Sequence, residues 1–366
     1  MRAFIFSAMA LLLPFSASAD WTAFLPASTP PHFFAVDKEK DMLYRVAGAP
    51  KERAVIKECP TIHGRVEGDK MAEGDMKTPE GVYFITHKIT ETLDFMDYGP
   101  HAFGLNYPNP ADLIREKTGS GIWLHSKGRP IKEVRTRGCV AIEQADINEL
   151  VPVLTPGTPV VIAQRQADPF FSGLDAEIAE NAGKPADQPK ASPSPAAQGE
   201  AGGQAQMQQG TPATPPAAGP QGQQAAAEKA EAAPADFAEG ERKVLALSAE
   251  WRKLFYEATG ELFDLYDRKR WKKATREDFS ALEKRRIGEM PGEKPGAAEE
   301  IGVLSGPGYW ASFFARKIQR NGADVQGTQI LYWMPDEEGQ MRVIGDYWVE
   351  CASKEAAKPA EGSAGK

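Results

Sequence analysis

His125 and Cys139 are the two side chains best suited to nucleophilic chemistry in this chain. A thiol attacks a carbonyl carbon only as the thiolate, and a neighbouring imidazole is the usual acceptor of its proton. The 366 residues hold five histidines and three cysteines, so one of each flanking a single polar loop stands out. His125 ends the apolar run "GIWLH" (121–125), and Cys139 opens "CVAIE" (139–143) after a loop containing glycine and proline. If these runs are neighbouring strands, sulfur and imidazole come within reach of each other. Gly138 frees the backbone for close approach of a substrate, and the amides of Gly138 and Cys139 are candidates to face a developing oxyanion. Taken alone, a His and a Cys fourteen positions apart are weak evidence, since most such pairs are structural.

Such a site needs a frame of strands. "GVYFITHKI" (81–89), "GIWLH", "CVAIE" and "TPVVIA" (158–163) are rich in branched and aromatic residues and bounded by Gly, Pro or Asp. "QADINELVPVL" places Ile147, Leu150, Val151 and Leu154 at helical spacing and is stopped by "TPG". Residues 20–168 therefore read as a mainly β domain with a few short helices. Trp123 is expected on the opposite strand face from His125, in the core, and Glu143 at a solvated strand end.

From about residue 169 to 236 the composition shifts to Ala, Pro, Gln and Gly, with no aromatic residue between Phe171 and Phe237. Such a stretch cannot bury enough apolar surface to offset the entropy of ordering, so it is expected to be a disordered tether. About fifty flexible residues span roughly 40 Å, which would let the flanking domains move independently. Residues 237–351 form a second unit. Leu247, Trp251, Leu254, Phe255, Leu262, Phe263 and Tyr266 predict amphipathic helices at its start. "EIGVLSG", "YWASFFARKIQ" and "GTQILYWMPDEEGQMRVIGDYWVE" predict strands with a turn at "DEEGQ", so the unit reads as α+β. Residues 352–366 are a polar tail.

Residues 1–19, "MRAFIFSAMALLLPFSASA", have an early Arg, an apolar run and a small-residue A-x-A ending, the pattern of a cleaved secretory signal peptide. A net charge of -8 argues against a nucleic-acid-binding protein, which needs a concentrated basic surface. In an exported chain, three cysteines leave at least one unpaired within the molecule, and the sequence does not say whether Cys59 and Cys351 pair. No C-x-x-C pair occurs, and His32, His63, His87 and His101 lack metal-ligand spacing, so no metal or other cofactor is expected.

"WLHS" followed by "TRGCVAI", with "KTPEGVYFIT" and "FGLNYPNPAD" upstream, resembles the L,D-transpeptidase (YkuD-like) family across about residues 30–165. The family signature is a His, a spacer, then Ser/Thr-x-Gly-Cys, matched here by His125 and by Thr136, Arg137, Gly138 and Cys139. The resemblance implies Cys139 as nucleophile, His125 as base, the Ser126 carbonyl as the group orienting the imidazole, and Gly138 with Cys139 as the oxyanion hole. It departs from many members at Ser126, where they have Gly, and at Ala141, where they have the Arg that contacts the substrate carboxylate. Arg137 is the candidate to replace that contact, and Thr136, Tyr107 and Asn106 are candidate substrate-binding neighbours; loop packing is the plainer role for Tyr107. The implied partners are peptidoglycan stem peptides in the periplasm. The thioester would pass to an amine (L,D-transpeptidase) or to water (L,D-carboxypeptidase). The domain order is similar to the cell-shape-determining L,D-carboxypeptidases with a C-terminal NTF2-like domain. In such a domain Trp310, Trp333, Tyr347 and Trp348 would line a cavity for a glycan or protein ligand, or fill a core. The long tether favours a freely moving accessory domain. A non-catalytic wall-binding adaptor is the reading from another class.

Overall fold

The computed structural model describes residues 21–24, 32–48, 54–131, 135–166, 236–291, 301–320 and 322–350. The expected signal peptide, the tether apart from its last residue, the polar tail and Cys351 lie outside these residues.

A short parallel pair, β1 (Thr22–Ala23) with β10 (Arg165–Gln166), lies beside an eight-stranded closed barrel. The barrel comprises β2 (His32–Asp37), β3 (Met42–Ala47), β4 (Ala54–Ile62), β5 (Gly81–Lys88), β6 (Ala102–Leu105), β7 (Trp123–His125), β8 (Val140–Ile142) and β9 (Pro159–Ala163). Its strand order is β2-β3-β4-β8-β7-β6-β5-β9. Closure gives every barrel strand a neighbour on each side. Three short helices, α1 (Phe95–Tyr98), α2 (Pro110–Ile114) and α3 (Gln144–Leu150), decorate it. The start of α2 is set by a reciprocal cap, Asn109 accepting from the Asp112 amide and Asp112 from the Asn109 amide, with Pro110 in the first turn.

The second unit opens with α4 (Phe237–Glu257), a 3-10 segment (Gly260–Leu265), α5 (Trp271–Thr275) and α6 (Phe279–Gly288). An antiparallel sheet follows: β11 (Met290–Pro291), β12 (Gly302–Gly306), β13 (Tyr309–Arg320), β14 (Ala323–Pro335) and β15 (Met341–Glu350). The β14–β15 turn is held by Asp336, whose carboxylate accepts from the Glu338 and Gln340 amides. Helices and strands thus follow in the expected order.

How the two units meet differs from the expectation of free movement. Strand β5 alternates between two cores: Tyr83 and Ile85 point into the barrel, while Val82 and Phe84 point outward, and all four are buried. Strands β2 and β9 do the same, with Phe33, Ala35, Val161 and Ala163 on the outer face. That outer face packs against one face of the second sheet: Leu304, Tyr309, Ala311, Phe313, Ile330, Tyr332, Met334 and Ile344 belong to the same core. Phe84 meets Phe313 edge-on with ring centroids 5.4 Å apart. The other sheet face carries Val303, Trp310, Phe314, Leu331 and Trp333 against the helices. Helices, sheet and barrel therefore form three layers, and a continuous apolar core joins the units. Exposing it would cost about 25 cal/mol per Å² of apolar surface, which removes independent movement of the two units.

The four aromatics considered as a ligand-cavity lining divide. Trp310 and Trp333 are in the core, with the Trp333 indole donating to Ser312 Oγ (2.8 Å). Tyr347 and Trp348 instead border a surface cleft of about 320 Å³, where Arg320 lies over the Trp348 ring.

Candidate active site

Strands β7 and β8 run parallel, with Leu124 opposite Val140 and His125 opposite Ala141. Leu124, Val140 and Ile142 point into the barrel core. By the pleat, Trp123, His125, Cys139 and Ala141 share the face turned away from it. The expectation for Trp123 is corrected here: residues i and i+2 of a strand share a face, so Trp123 lies beside His125. Tyr98 at the end of α1 touches both rings, with centroids 5.3 Å from Trp123 and 5.2 Å from His125.

His125 is 2% exposed, and its Nδ1 lies 2.6 Å from the Ser126 carbonyl. A carbonyl only accepts, so Nδ1 carries the hydrogen. Burial lowers the imidazole pKa to about 4, with Lys127 adding to the effect and the Ser126 carbonyl opposing it. At neutral pH the ring is therefore uncharged, with a free lone pair on Nε2, the form that can take a proton. Cys139 is partly exposed, and its thiol donates toward the Gly121 carbonyl at 3.5 Å. Burial raises its pKa, while the Trp123 amide and the charges of Lys127 and Lys70 oppose the rise. The resting pair is thiol and neutral imidazole, on adjacent strands. No hydrogen bond joins sulfur to imidazole among the described residues; in free enzymes such contacts are often long and tighten with substrate. Cys59, by contrast, is fully buried and has no disulfide partner among the described residues, with its thiol pushed up to about 12 by burial.

The turn before Cys139 is held from behind. Gly138 has φ +132°, and a Cβ there would sit 2.7 Å from the Lys77 carbonyl, so only glycine fits. Its carbonyl accepts from Thr78 Oγ1 (2.8 Å), which itself accepts from the Gly64 amide (2.8 Å). The Gly138 amide, expected to face an oxyanion, instead donates to Thr136 Oγ1 at 3.0 Å. Thr136 Oγ1 donates on to the Cys139 carbonyl (2.6 Å), and Thr136 is 6% exposed, so its hydroxyl is committed to the turn and not to a substrate.

The other expected substrate contacts sort as follows. Tyr107 is buried against Tyr83, and its hydroxyl donates to the Thr118 carbonyl (3.0 Å). Asn106 accepts from the Phe84 amide (2.8 Å) and donates to the Tyr332 hydroxyl (2.8 Å). Both spend their polar groups inside the protein, and loop packing outweighs a binding role. Arg137 is exposed; burial raises the Tyr98 phenol, and the Arg137 charge only partly opposes that rise. Glu143 accepts from the Ile131 amide (3.1 Å) and ties the loop to the start of α3. Ser126 Oγ sits against Gly99, whose φ is +61°: a Cβ on Gly99 would fall 2.1 Å from it.

Residues 31–162 match the YkuD family, the L,D-transpeptidase catalytic domain. The barrel is the part of the chain that this family model matches. The match lies within the barrel and does not extend to the second unit. Among solved structures, the chain is similar to the helical cell shape determining protein Pgp2 from Campylobacter jejuni at 19% identity and TM-score 0.47, covering 86% of this chain and 91% of that one. It is also similar to Bdellovibrio bacteriovorus Bd1075 at 17% identity and TM-score 0.49, covering 92% of this chain and 98% of that one. For an L,D-transpeptidase from Xylanimonas cellulosilytica the values are 17% and 0.27, over 38% of this chain and 63% of that one. No curated protein matches the chain.

Tyr98, Thr78 and Lys127 complete the site and were not singled out from the sequence. Thr78 lies in the "KTPEG" block, which marks it; nothing in "MDYGP" marks Tyr98 as the ring against His125. Lys127 is 7% exposed and donates to the Asp97 carbonyl at 3.3 Å, keeping a cation next to the imidazole strand.

Proposed function

We propose that the chain is a cysteine acyltransferase of peptidoglycan stem peptides. Cys139 gives up its proton to His125 Nε2 as the sulfur attacks the carbonyl between an L-centre and D-Ala, typically after meso-diaminopimelate. The carbon–nitrogen bond breaks, His125 returns the proton to the departing D-Ala amine, and a thioester stays on Cys139. An amine from a second stem peptide then yields a 3-3 crosslink, or water yields a tripeptide. Transfer is our reading, with hydrolysis as the alternative fate of the same thioester. The Ser126 carbonyl holds the imidazole in its basic tautomer, and the Cys139 amide is the candidate oxyanion donor. We further read residues 1–19 as a signal peptide delivering the enzyme to the periplasm, and the second unit as NTF2-like.

The observation carrying this reading is a neutral imidazole, its Nδ1–H spent on a carbonyl, one strand away from a partly exposed cysteine on the same face of a matched catalytic domain. Incubation with disaccharide tetrapeptides followed by mass analysis tests it. Dimers of the 3-3 type indicate transfer, and tripeptide without dimers indicates hydrolysis. If the wild type and Cys139→Ala both leave the tetrapeptide intact, the enzyme reading fails and a wall-binding adaptor replaces it.

A further inference from the structure

Strand β5 pairs with β9 along Gly81–Phe84, but pairs with β6 only from Ile85 onward. The backbone groups of Val82 that face the missing β6 partner would be buried and unsatisfied, which costs about 1–3 kcal/mol per group. Two tyrosines of the second unit, with Asn109 of the barrel unit, supply their partners. The Val82 amide donates to the Tyr309 hydroxyl (2.7 Å), and the Val82 carbonyl accepts from the Tyr332 hydroxyl (3.2 Å) and from Asn109 Nδ2 (3.2 Å). Asn109 Nδ2 also donates to the Tyr309 hydroxyl (2.9 Å). Gly81 permits this approach, since a Cβ there would lie 2.6 Å from the Tyr309 oxygen.

Four residues before Val82, Thr78 holds the Gly138 carbonyl and with it the turn that presents Cys139. Between them Glu80 is pinned through its amide to Asp69 (2.8 Å) and through its carboxylate to Lys38 (2.8 Å). Residues 78–82 thus form a short bar, fastened at one end to the nucleophile turn and at the other to two tyrosines of the second unit.

We propose that Tyr309 and Tyr332 are positioning residues for acylation, so that the second unit is part of the catalytic body rather than an appended binding module. The proposal rests on Cys139 as the nucleophile. Neither hydroxyl touches substrate. Their effect is to fix the bar and, through Thr78, the angle at which Cys139 meets the carbonyl, where displacements near 1 Å cost on the order of 10²-fold in rate.

The test uses the full chain and the rate at which imipenem acylates Cys139, read by intact mass well below the melting temperature. The sulfur opens the β-lactam, the ring carbon–nitrogen bond breaks, and the nitrogen takes up a proton. Tyr309→Phe with Tyr332→Phe should lower the maximal acylation rate roughly tenfold or more without raising the half-saturating concentration. Tyr347→Phe, which keeps the ring packed edge-on against Tyr332 and removes a hydroxyl that does not bond Val82, should keep the wild-type rate. In a cycle with Thr78→Val the losses should be strongly less than additive, because both changes release the same bar. A purely structural role would lower the melting temperature yet leave the rate of the folded protein unchanged, or give additive losses, and either result overturns the proposal. If the wild type itself is not acylated while folded, the nucleophile assignment has failed instead.

Discussion

Acidification tests the charge state of His125 and, with it, the identity of the base. The folded imidazole has a pKa of about 4, against an ordinary value near 6.5, and burial is the main cause. Because the folded value lies below the unfolded one, the unfolded chain binds this proton first. The stability owed to the neutral ring is fully present above pH 6.5 and is lost as pH falls from 6.5 through 4. At pH 4.5 an unfolded imidazole is about 99% protonated, and the folded ring about a quarter protonated, which corresponds to a loss of about 2.5 kcal/mol. His32, also lowered to about 4 by burial and by Arg45, adds a loss in the same window, so His125 must be isolated by difference. Urea unfolding at pH 7.5 and 4.5 should show the wild type losing about 2.5 kcal/mol more than His125→Gln. The rate of Cys139 acylation should share this origin, staying level from pH 7 to about 5 and falling with a midpoint near 4. An acid midpoint near 6.5, or equal losses of stability in the two proteins, would falsify the neutral-imidazole assignment.

Three further outcomes follow from the same contacts. Gly138→Ala forces a side chain onto the Lys77 carbonyl at φ +132°, so acylation should be lost and stability should fall by about 1–3 kcal/mol, read by carbapenem labelling and thermal melts. Phe313→Ala empties a buried position facing Phe84 and should cost about 3–5 kcal/mol; calorimetry should show barrel and second unit melting in one transition, whereas two separate transitions would contradict the shared core. Lys127→Met removes a cation that favours the thiolate, so the pH midpoint of iodoacetamide alkylation at Cys139 should move upward, and a downward or absent movement counts against that cation.

Much of the site was legible because its chemistry is local in sequence. Strands β5, β7, β8 and β9 and helix α3 lie where branched residues, helical spacing and the "TPG" stop put them. The Ser126 carbonyl meets His125 as the family resemblance implies. What was missed depends on distant partners. The runs "HFFAVD", "GVYFITHK" and "PVVIA" lack a polar face over most of their length, a sign of strands covered on both sides. The covering layer is supplied from beyond residue 300, so the long intervening stretch suggested separation where the folded chain has contact. Thr136 and Asn106, expected as substrate contacts, spend their polar groups on internal partners that the sequence does not reveal. A polar side chain beside a cleft serves a turn or a gap in the sheet equally well, and only the partner atom decides.

Cys139 and His125 share one electrostatic setting. Burial disfavours both the thiolate and the imidazolium, so an ion pair at rest would carry two desolvation penalties. The charge-separated form is approached only when an electrophile shares the sulfur's charge, so the fixed cations Lys127 and Lys70 act most strongly as charge develops. A resting thiol is also less readily oxidised than a thiolate, since oxidation follows thiolate character. The same burial that slows spontaneous ionisation thus protects a partly exposed sulfur, and the cost falls on the chemical step. A structure organised this way needs the turn before Cys139 held firmly, because little ground-state attraction between sulfur and imidazole draws the two together. The fastening of Gly138 to Thr78 and Thr136, and of the bar behind it to Tyr309 and Tyr332, supplies from the backbone side what a resting ion pair would otherwise provide.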